Sequence, residues 1–259
     1  MNATINSCKN VTPGQPRRKL GEVRILLVDD HPLVREGLAA TLSKELDLTV
    51  CGHAASATQA LQAAATLHPD VAVVDLTLEG SHGLDLLKDL RILHPDVRLL
   101  VVSMHDEALY AERALRAGAR GYLMKREPPE KLVEAVRKLA RGELYFSQAI
   151  LLRMHQDLSS GRRAAGTSPI TQLADRELAV LELLGKGTKT RRIADSLHVS
   201  MKTIQSHCEH IKQKLELPDF SSLTCFAAHW IEKEQDTKPG GRDQTAGNPL
   251  REAHPQRRD

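Results

Sequence analysis

Aromatic side chains are scarce in this chain: Phe, Tyr and Trp make up 3% of its 259 residues. A core built without many rings must be filled by Leu, Val, Ile and Ala. Cysteine is equally sparse. Cys8, Cys51, Cys208 and Cys225 are scattered, with no C-x-x-C pair. That argues against a disulfide framework or a cysteine zinc site and fits a reducing cytoplasm. No apolar run approaches the ~20 residues of a membrane helix, so no membrane partner is expected. The first twenty residues are polar, with Pro13, Pro16 and the basic run Arg17-Arg18-Lys19. They lack the apolar centre of a signal peptide.

What is present is a repeated pattern of short apolar runs ending in polar groups. Ile25-Leu26-Leu27-Val28 ends in Asp29 and Asp30, and Val71-Ala72-Val73-Val74 ends in Asp75. Leu99-Leu100-Val101-Val102 ends in Ser103, and Gly121-Tyr122-Leu123-Met124 ends in Lys125. Such runs read as buried parallel strands. In open α/β sheets, ligand sites lie beyond the carboxyl ends of the strands. One rim therefore receives three carboxylates, a hydroxyl and an ammonium. Three carboxylates make a hard oxygen site suited to Mg²⁺, and the lysine and serine can hold phosphoryl oxygens.

Between the runs lie helical stretches. Pro32 opens one that reaches about Leu46, and Thr49 to His53 reads as a further strand. Helices are expected over Ser56 to Leu67, after Gly83 to about Leu93, over Glu107 to Ala117, and from Pro128-Pro129-Glu130 to about Arg141. Gly80 and Gly83 flank a loop. Five strands alternating with five helices give a doubly wound sheet. The expected organisation is a disordered leader at 1–21, this α/β domain at 22–141, a linker at 142–170, an all-helical domain at 171–232 and a disordered tail at 233–259. Within the linker, Ser147 to Leu158 has helical character and Ser159 to Pro169 is Ser/Gly/Arg-rich.

The acidic pair Asp29 and Asp30, then Asp75, Ser103 and Lys125, in that order and each at a strand end, resemble the response-regulator receiver domain, which has a flavodoxin-like fold. The resemblance implies that Asp75 accepts a phosphoryl group, that Asp29, Asp30, Asp75 and a backbone carbonyl at Thr77 hold Mg²⁺, and that Ser103 and Tyr122 are switch residues. It also implies that Thr77 and His105 tune how fast water removes the phosphoryl group. Aspartate nucleophiles with Mg²⁺ also occur in phosphohydrolases. Those need a second acid/base Asp, and position 77 is Thr, so substrate turnover is not expected.

Charge divides the chain. Residues 22–140 carry fourteen basic and eighteen acidic side chains, whereas 185–217 carry seven and three. A basic second segment suggests nucleic acid. There, Asp175 reads as a helix cap ahead of Leu178, Leu181 and Leu184, Thr190 as a cap ahead of Ile193, Ala194 and Leu197, and Ser200 as a third. In the last helix Ile204, Cys208, Ile211 and Leu215 form an inward stripe. The opposite face carries Lys202, Gln205, Ser206, Glu209, Lys212 and Gln213, able to address base edges and phosphates. Helix, short turn and amphipathic helix make a helix-turn-helix.

Leu173, Arg176, Glu177, Val180, Leu181, Gly187, Ile193, Ala194, Leu197, Ser200, Lys202, Thr203, Ile204, His207, Ile211, Lys214 and Leu215 resemble the LuxR-type helix-turn-helix. Joined to the receiver, the whole is similar to NarL/FixJ-type two-component response regulators. That resemblance implies a cytoplasmic transcription regulator with Lys202, Thr203, Gln205, Ser206, Glu209 and Lys212 on DNA. It further implies a histidine kinase as phosphodonor, homodimers when phosphorylated, and an unmodified receiver that masks the recognition helix. Gln205 stands where the family usually has lysine, Arg192 where it has glutamate, and Ala174 where it has threonine. The alternative is a receiver gating a protein-interaction module that no longer binds DNA.

Overall fold

The computed structural model describes residues 21–78, 81–153 and 169–236. Strands β1 (Val23–Val28), β2 (Leu48–Ala54), β3 (Val71–Val74), β6 (Arg98–Ser103) and β7 (Gly121–Met124) form one sheet in the order β2-β1-β3-β6-β7. All of its pairings are parallel. Helices α1 (Pro32–Leu42), α2 (Ala57–Leu67), α3 (Gly83–Leu93), α4 (Glu107–Ala117) and α5 (Pro129–Ala140) connect the strands. This is the doubly wound sheet expected from the apolar runs. Alternate residues serve opposite faces. Ile25, Leu27, Val71 and Val73 pack towards α5 and the end of α1. Leu26, Val28, Ala72 and Val74 pack towards α2, α3 and α4.

Strand register makes the functional rim. Val28 pairs with Val74, and Val74 with Val101. The backbone N–H of Asp75 donates to the carbonyl of Val28 at 2.9 Å, and that of Lys125 to the carbonyl of Ser103 at 2.8 Å. The polar residue that follows each strand therefore arrives at the same edge. A hairpin unforeseen in the sequence follows Asp75: β4 (Thr77–Leu78) pairs antiparallel with β5 (Ser81–His82). Gly83 closes it against the sheet. A Cβ there would lie 2.5 Å from the Asp75 carbonyl oxygen and 2.5 Å from Leu76 Cα, so a side chain at 83 would push the loop after Asp75 off its strand.

Helix α1 stops at Leu42 rather than near Leu46. Arg137 of α5 grips Asp47 (Nε–Oδ2 2.8 Å) and Glu45 (Nη2–Oε2 2.7 Å), turning the chain into β2. Past α5, Tyr145 bridges to Gly121 and its carbonyl accepts from the Tyr122 N–H at 2.8 Å, so the segment read as the start of the linker still lies along β7. Residues 148–153 are helical (α6), and the rest of that expected helix and the Ser/Gly/Arg-rich stretch to 168 lie outside the described residues. So do the leader to residue 20 and the tail from 237.

The second half is helical: a 3₁₀ turn at Pro169–Gln172, then α7 (Asp175–Gly185), α8 (Thr190–Ser196), α9 (Met201–Lys214) and α10 (Phe220–Asp236). Helix α10 runs four residues into the stretch expected to be a disordered tail. Leu178, Leu181, Ile193, Ile204, Ile211 and Leu223 are fully buried among them. Ser200 caps α9, accepting from the Thr203 N–H at 3.1 Å. Two expected caps shift by one residue: Ala174 and Lys189 occupy the cap positions, and Asp175 and Thr190 begin the helices. Ala174 offers no side-chain acceptor. The cap is half made by Glu177, whose Oε2 accepts from the Ala174 N–H at 2.7 Å and also pairs with Lys214 Nζ at 2.7 Å. The missing half is worth restoring: Ala174→Thr is expected to stabilise the helical domain by about 1 kcal/mol, read from urea denaturation. No gain would show that the free N–H groups of α7 are already satisfied.

Candidate functional site

Asp29 and Asp75 are buried and Asp30 half-buried at the ends of β1 and β3. Lys125 Nζ, following β7, lies 2.6 Å from Asp29 Oδ2 and 2.7 Å from Asp75 Oδ2, bridging them. Burial pushes the Asp75 carboxyl above its ordinary value; the Lys125 ammonium partly offsets this, and the Asp29 carboxylate adds to the rise. For Lys125, burial works against the charge, but the two carboxylates outweigh it and hold the ammonium protonated. Asp75 Oδ1 is buried without a hydrogen-bond partner. A buried carboxylate oxygen in that state can take a further partner, such as a cation or an ordered water.

Ligand atoms of Asp29, Asp30, His31 and Asp75 lie within 4.8 Å of one another. His31 was not singled out in the sequence, although it directly follows the acidic pair. Its N–H donates to Asp29 Oδ1 at 2.8 Å and its Nδ1 lies 2.7 Å from Asp30 Oδ1. The donor set is oxygen-rich and carries three carboxylates, so it fits Mg²⁺.

The remaining rim residues converge on His105. Its backbone N–H donates to Ser103 Oγ at 3.3 Å, and its carbonyl accepts from the Tyr122 hydroxyl at 2.9 Å. Its Nε2 lies 3.0 Å from Thr77 Oγ1, and its ring lies 4.7 Å from that of Tyr110. Burial drops the His105 pKa to about 3, so the imidazole is neutral. Burial also raises the Tyr122 phenol, which stays protonated and donates. Ser103 is fully buried.

The helical half docks on α3 and α4 of the receiver. Asp175 takes Lys88 Nζ at 2.9 Å and Arg113 Nη1 at 3.1 Å, and Arg176 Nη2 meets Asp85 Oδ2 at 2.7 Å. Burial of Asp175 is outweighed by Lys88 and Arg113, which hold its carboxyl below the ordinary value. His105 Nδ1 lies 3.4 Å from Glu182 Oε1 of α7. The expectation that the receiver masks the recognition helix is not met. Lys202, Gln205, Ser206 and Glu209 of α9 are exposed, and the contacts run through α7 instead. Thr203 is less open, its hydroxyl 2.8 Å from Ser200 Oγ in the cap. Lys212 is half-buried and paired with Glu209 at 2.9 Å. His207 is also half-buried, while Cys208 sits in the core as expected.

Replacing Asp75 by asparagine removes a charge that burial disfavours. Asp75→Asn is expected to raise the melting temperature by a few degrees at neutral pH in metal-free buffer. The sign follows from the raised carboxyl: wild-type stability falls as pH rises through the ordinary carboxylate value towards the raised one. The gain should therefore shrink in acid, where Asp75 is neutral in both states. A loss of stability at neutral pH would mean that the pairing with Lys125 outweighs burial.

Residues 25–137 match the response regulator receiver domain family, and residues 171–227 match the family described as bacterial regulatory proteins, luxR family. The oxygen regulatory protein NreC of Staphylococcus carnosus is 34% identical over 209 residues, spanning 79% of this chain and 96% of that protein. The nitrate/nitrite response regulator protein NarL of Escherichia coli K12 is 33% identical over 211 residues, spanning 82% of this chain and 95% of NarL. The RcsB response regulator of Salmonella typhimurium shares the fold, with a TM-score of 0.63 and 22% identity over 81% of this chain and 98% of its own. With the carboxylate–lysine rim at one end and a luxR-family domain at the other, the chain belongs to the NarL-type response regulators of two-component systems.

Proposed function

We propose that this protein is a cytoplasmic transcription regulator whose DNA binding is set by phosphorylation of Asp75 from a histidine kinase. The observation that carries the reading is the buried, unpartnered Asp75 Oδ1 beside a lysine that bridges Asp75 to Asp29. In the transfer, an Asp75 oxygen forms a bond to phosphorus as the P–N bond of a phosphohistidine breaks, and the departing imidazole nitrogen takes up a proton. Lys125 turns from the carboxylates to a phosphoryl oxygen, and Ser103 donates its hydroxyl to another. The carboxylates of Asp29, Asp30 and Asp75 and the carbonyl of Thr77 would hold Mg²⁺, which when bound offsets charge on the phosphoryl oxygens.

Modification takes Asp75 from one negative charge to about two. Ser103 and Tyr122 both hold His105, so a shift at Ser103 reaches Tyr122 through that residue. On DNA, α9 presents Lys202, Gln205, Ser206 and Glu209 to the major groove, with Lys212 at its edge and Thr203 supporting the helix start. Phosphorylated copies pair on adjacent half-sites. The protein does not turn over a substrate.

The test uses Mg²⁺ and acetyl phosphate. The wild type should gain the mass of one phosphoryl group and bind duplex DNA more tightly, with affinity falling as salt rises. Asp75→Ala should gain neither. Modification without DNA binding would favour a protein-interaction module. Mg²⁺ alone should raise the melting temperature, adding about 2.7 kcal/mol at a hundred times its dissociation constant, and Asp30→Asn should remove most of that gain. An unchanged melting temperature would count against a metal at this rim.

A further inference from the structure

The seam between the two halves is not filled. A cavity of about 260 Å³ lies there, walled by Leu76, Leu78 and Tyr110 of the receiver and by Ala179, Leu183 and Leu197 of the helical half. All of these but Leu183 are buried. Tyr110 is 1% exposed, yet its hydroxyl has no hydrogen-bond partner among the described residues. A buried phenol left unmet forgoes the hydration it had in water. We propose that this cleft binds a small, uncharged, largely apolar molecule carrying one hydrogen-bond acceptor, with the Tyr110 hydroxyl as its donor.

Size, polarity and charge each narrow the ligand. An apolar cavity of roughly 150 Å³ suffices for benzene, so this one has room for a ring and a short substituent. Other polar groups of the lining are turned to protein partners. Thr77 Oγ1 lies 3.0 Å from His105 Nε2, Ser196 Oγ donates to the Ile193 carbonyl at 3.1 Å, and His82 Nδ1 accepts from the Leu84 N–H at 3.3 Å. Water would find few partners against such walls. The charged lining is Asp30 and the buried Glu182 within, and Lys186, which is exposed, at the mouth. His82 and His105 add no charge, because burial drops their pKa values to about 4 and about 3. The two carboxylates repel a ligand anion, and a ligand cation would give up its hydration for aliphatic walls. An uncharged acceptor meets neither cost.

Tyr110 stands on α4 and Ala179 on α7. A molecule seated between them touches both halves, so it binds the docked arrangement. The cleft borders the Asp75 rim at Asp30 and Thr77 but draws on neither as a ligand group. It gives the chain a chemical input separate from phosphorylation, and the reading of Asp75 does not depend on it.

The experiment uses the full chain, without phosphodonor or metal, in calorimetric titrations. Four probes share one ring: acetophenone with a carbonyl acceptor, toluene with no polar group, benzoate and benzylammonium. Acetophenone should bind saturably, one per chain, about fivefold more tightly than toluene, the worth of one hydrogen bond. Benzoate and benzylammonium should bind more weakly than either. Tyr110→Phe removes the donor and should bring acetophenone to the affinity of toluene while leaving toluene unchanged. Ala179→Met fills the cavity from the other half and should abolish binding of both, with thermal melts to confirm folding. Should Ala179→Met not fold, Tyr110→Phe still decides. No saturable binding of acetophenone, an acetophenone affinity untouched by Tyr110→Phe, or tighter binding of benzoate or benzylammonium would each overturn the proposal, and none of them bears on the phosphorylation of Asp75.

Discussion

The Lys125 ammonium held between the Asp29 and Asp75 carboxylates is the interaction on which the rest of the structure depends. Two buried carboxylates at adjacent strand ends repel each other and resist burial. Without a cation between them the rim would be costly to fold, and Lys125 supplies that cation. The register of β1, β3, β6 and β7 exists at this edge to place three separate stretches of sequence around that ammonium. The Gly83 contact under the Asp75 loop and the hairpin after it serve the same end, fixing the backbone on which Asp75 sits.

The sheet and the rim were legible because their signals are local. Four-residue apolar runs ending in Asp29, Asp75, Ser103 and Lys125 announce both the strand and the polar group beyond it. The inward stripe of α9 was legible for the same reason, since Ile204, Cys208 and Ile211 repeat at helical spacing. What escaped depends on partners distant in sequence. The early end of α1 is set by Arg137, some ninety residues on. The cap of α7 falls on Ala174 because Glu177 reaches back to it, which a search for capping side chains does not find. His105 was visible as a near neighbour of Ser103, but its approach to Glu182 exists only once the halves are docked. His31 carried a signal, its place beside the acidic pair, that the chemistry of Asp29 and Asp30 overshadowed.

The two halves meet through ion pairs as well as through apolar side chains. Asp175 collects Lys88 and Arg113, Arg176 reaches Asp85, and an unfilled cavity lies between. A tight apolar interface would make the halves one rigid body. Ion pairs beside an open cleft make a more yielding seam than a fully packed apolar one.

The Glu209–Lys212 pair on α9 has a consequence for how such a protein moves over a chromosome. A lysine already matched by a carboxylate on its own helix displaces few counterions when it nears DNA. On the DNA-binding reading of α9, this face would grip arbitrary sequence weakly. Such a face would search by frequent hops rather than long slides.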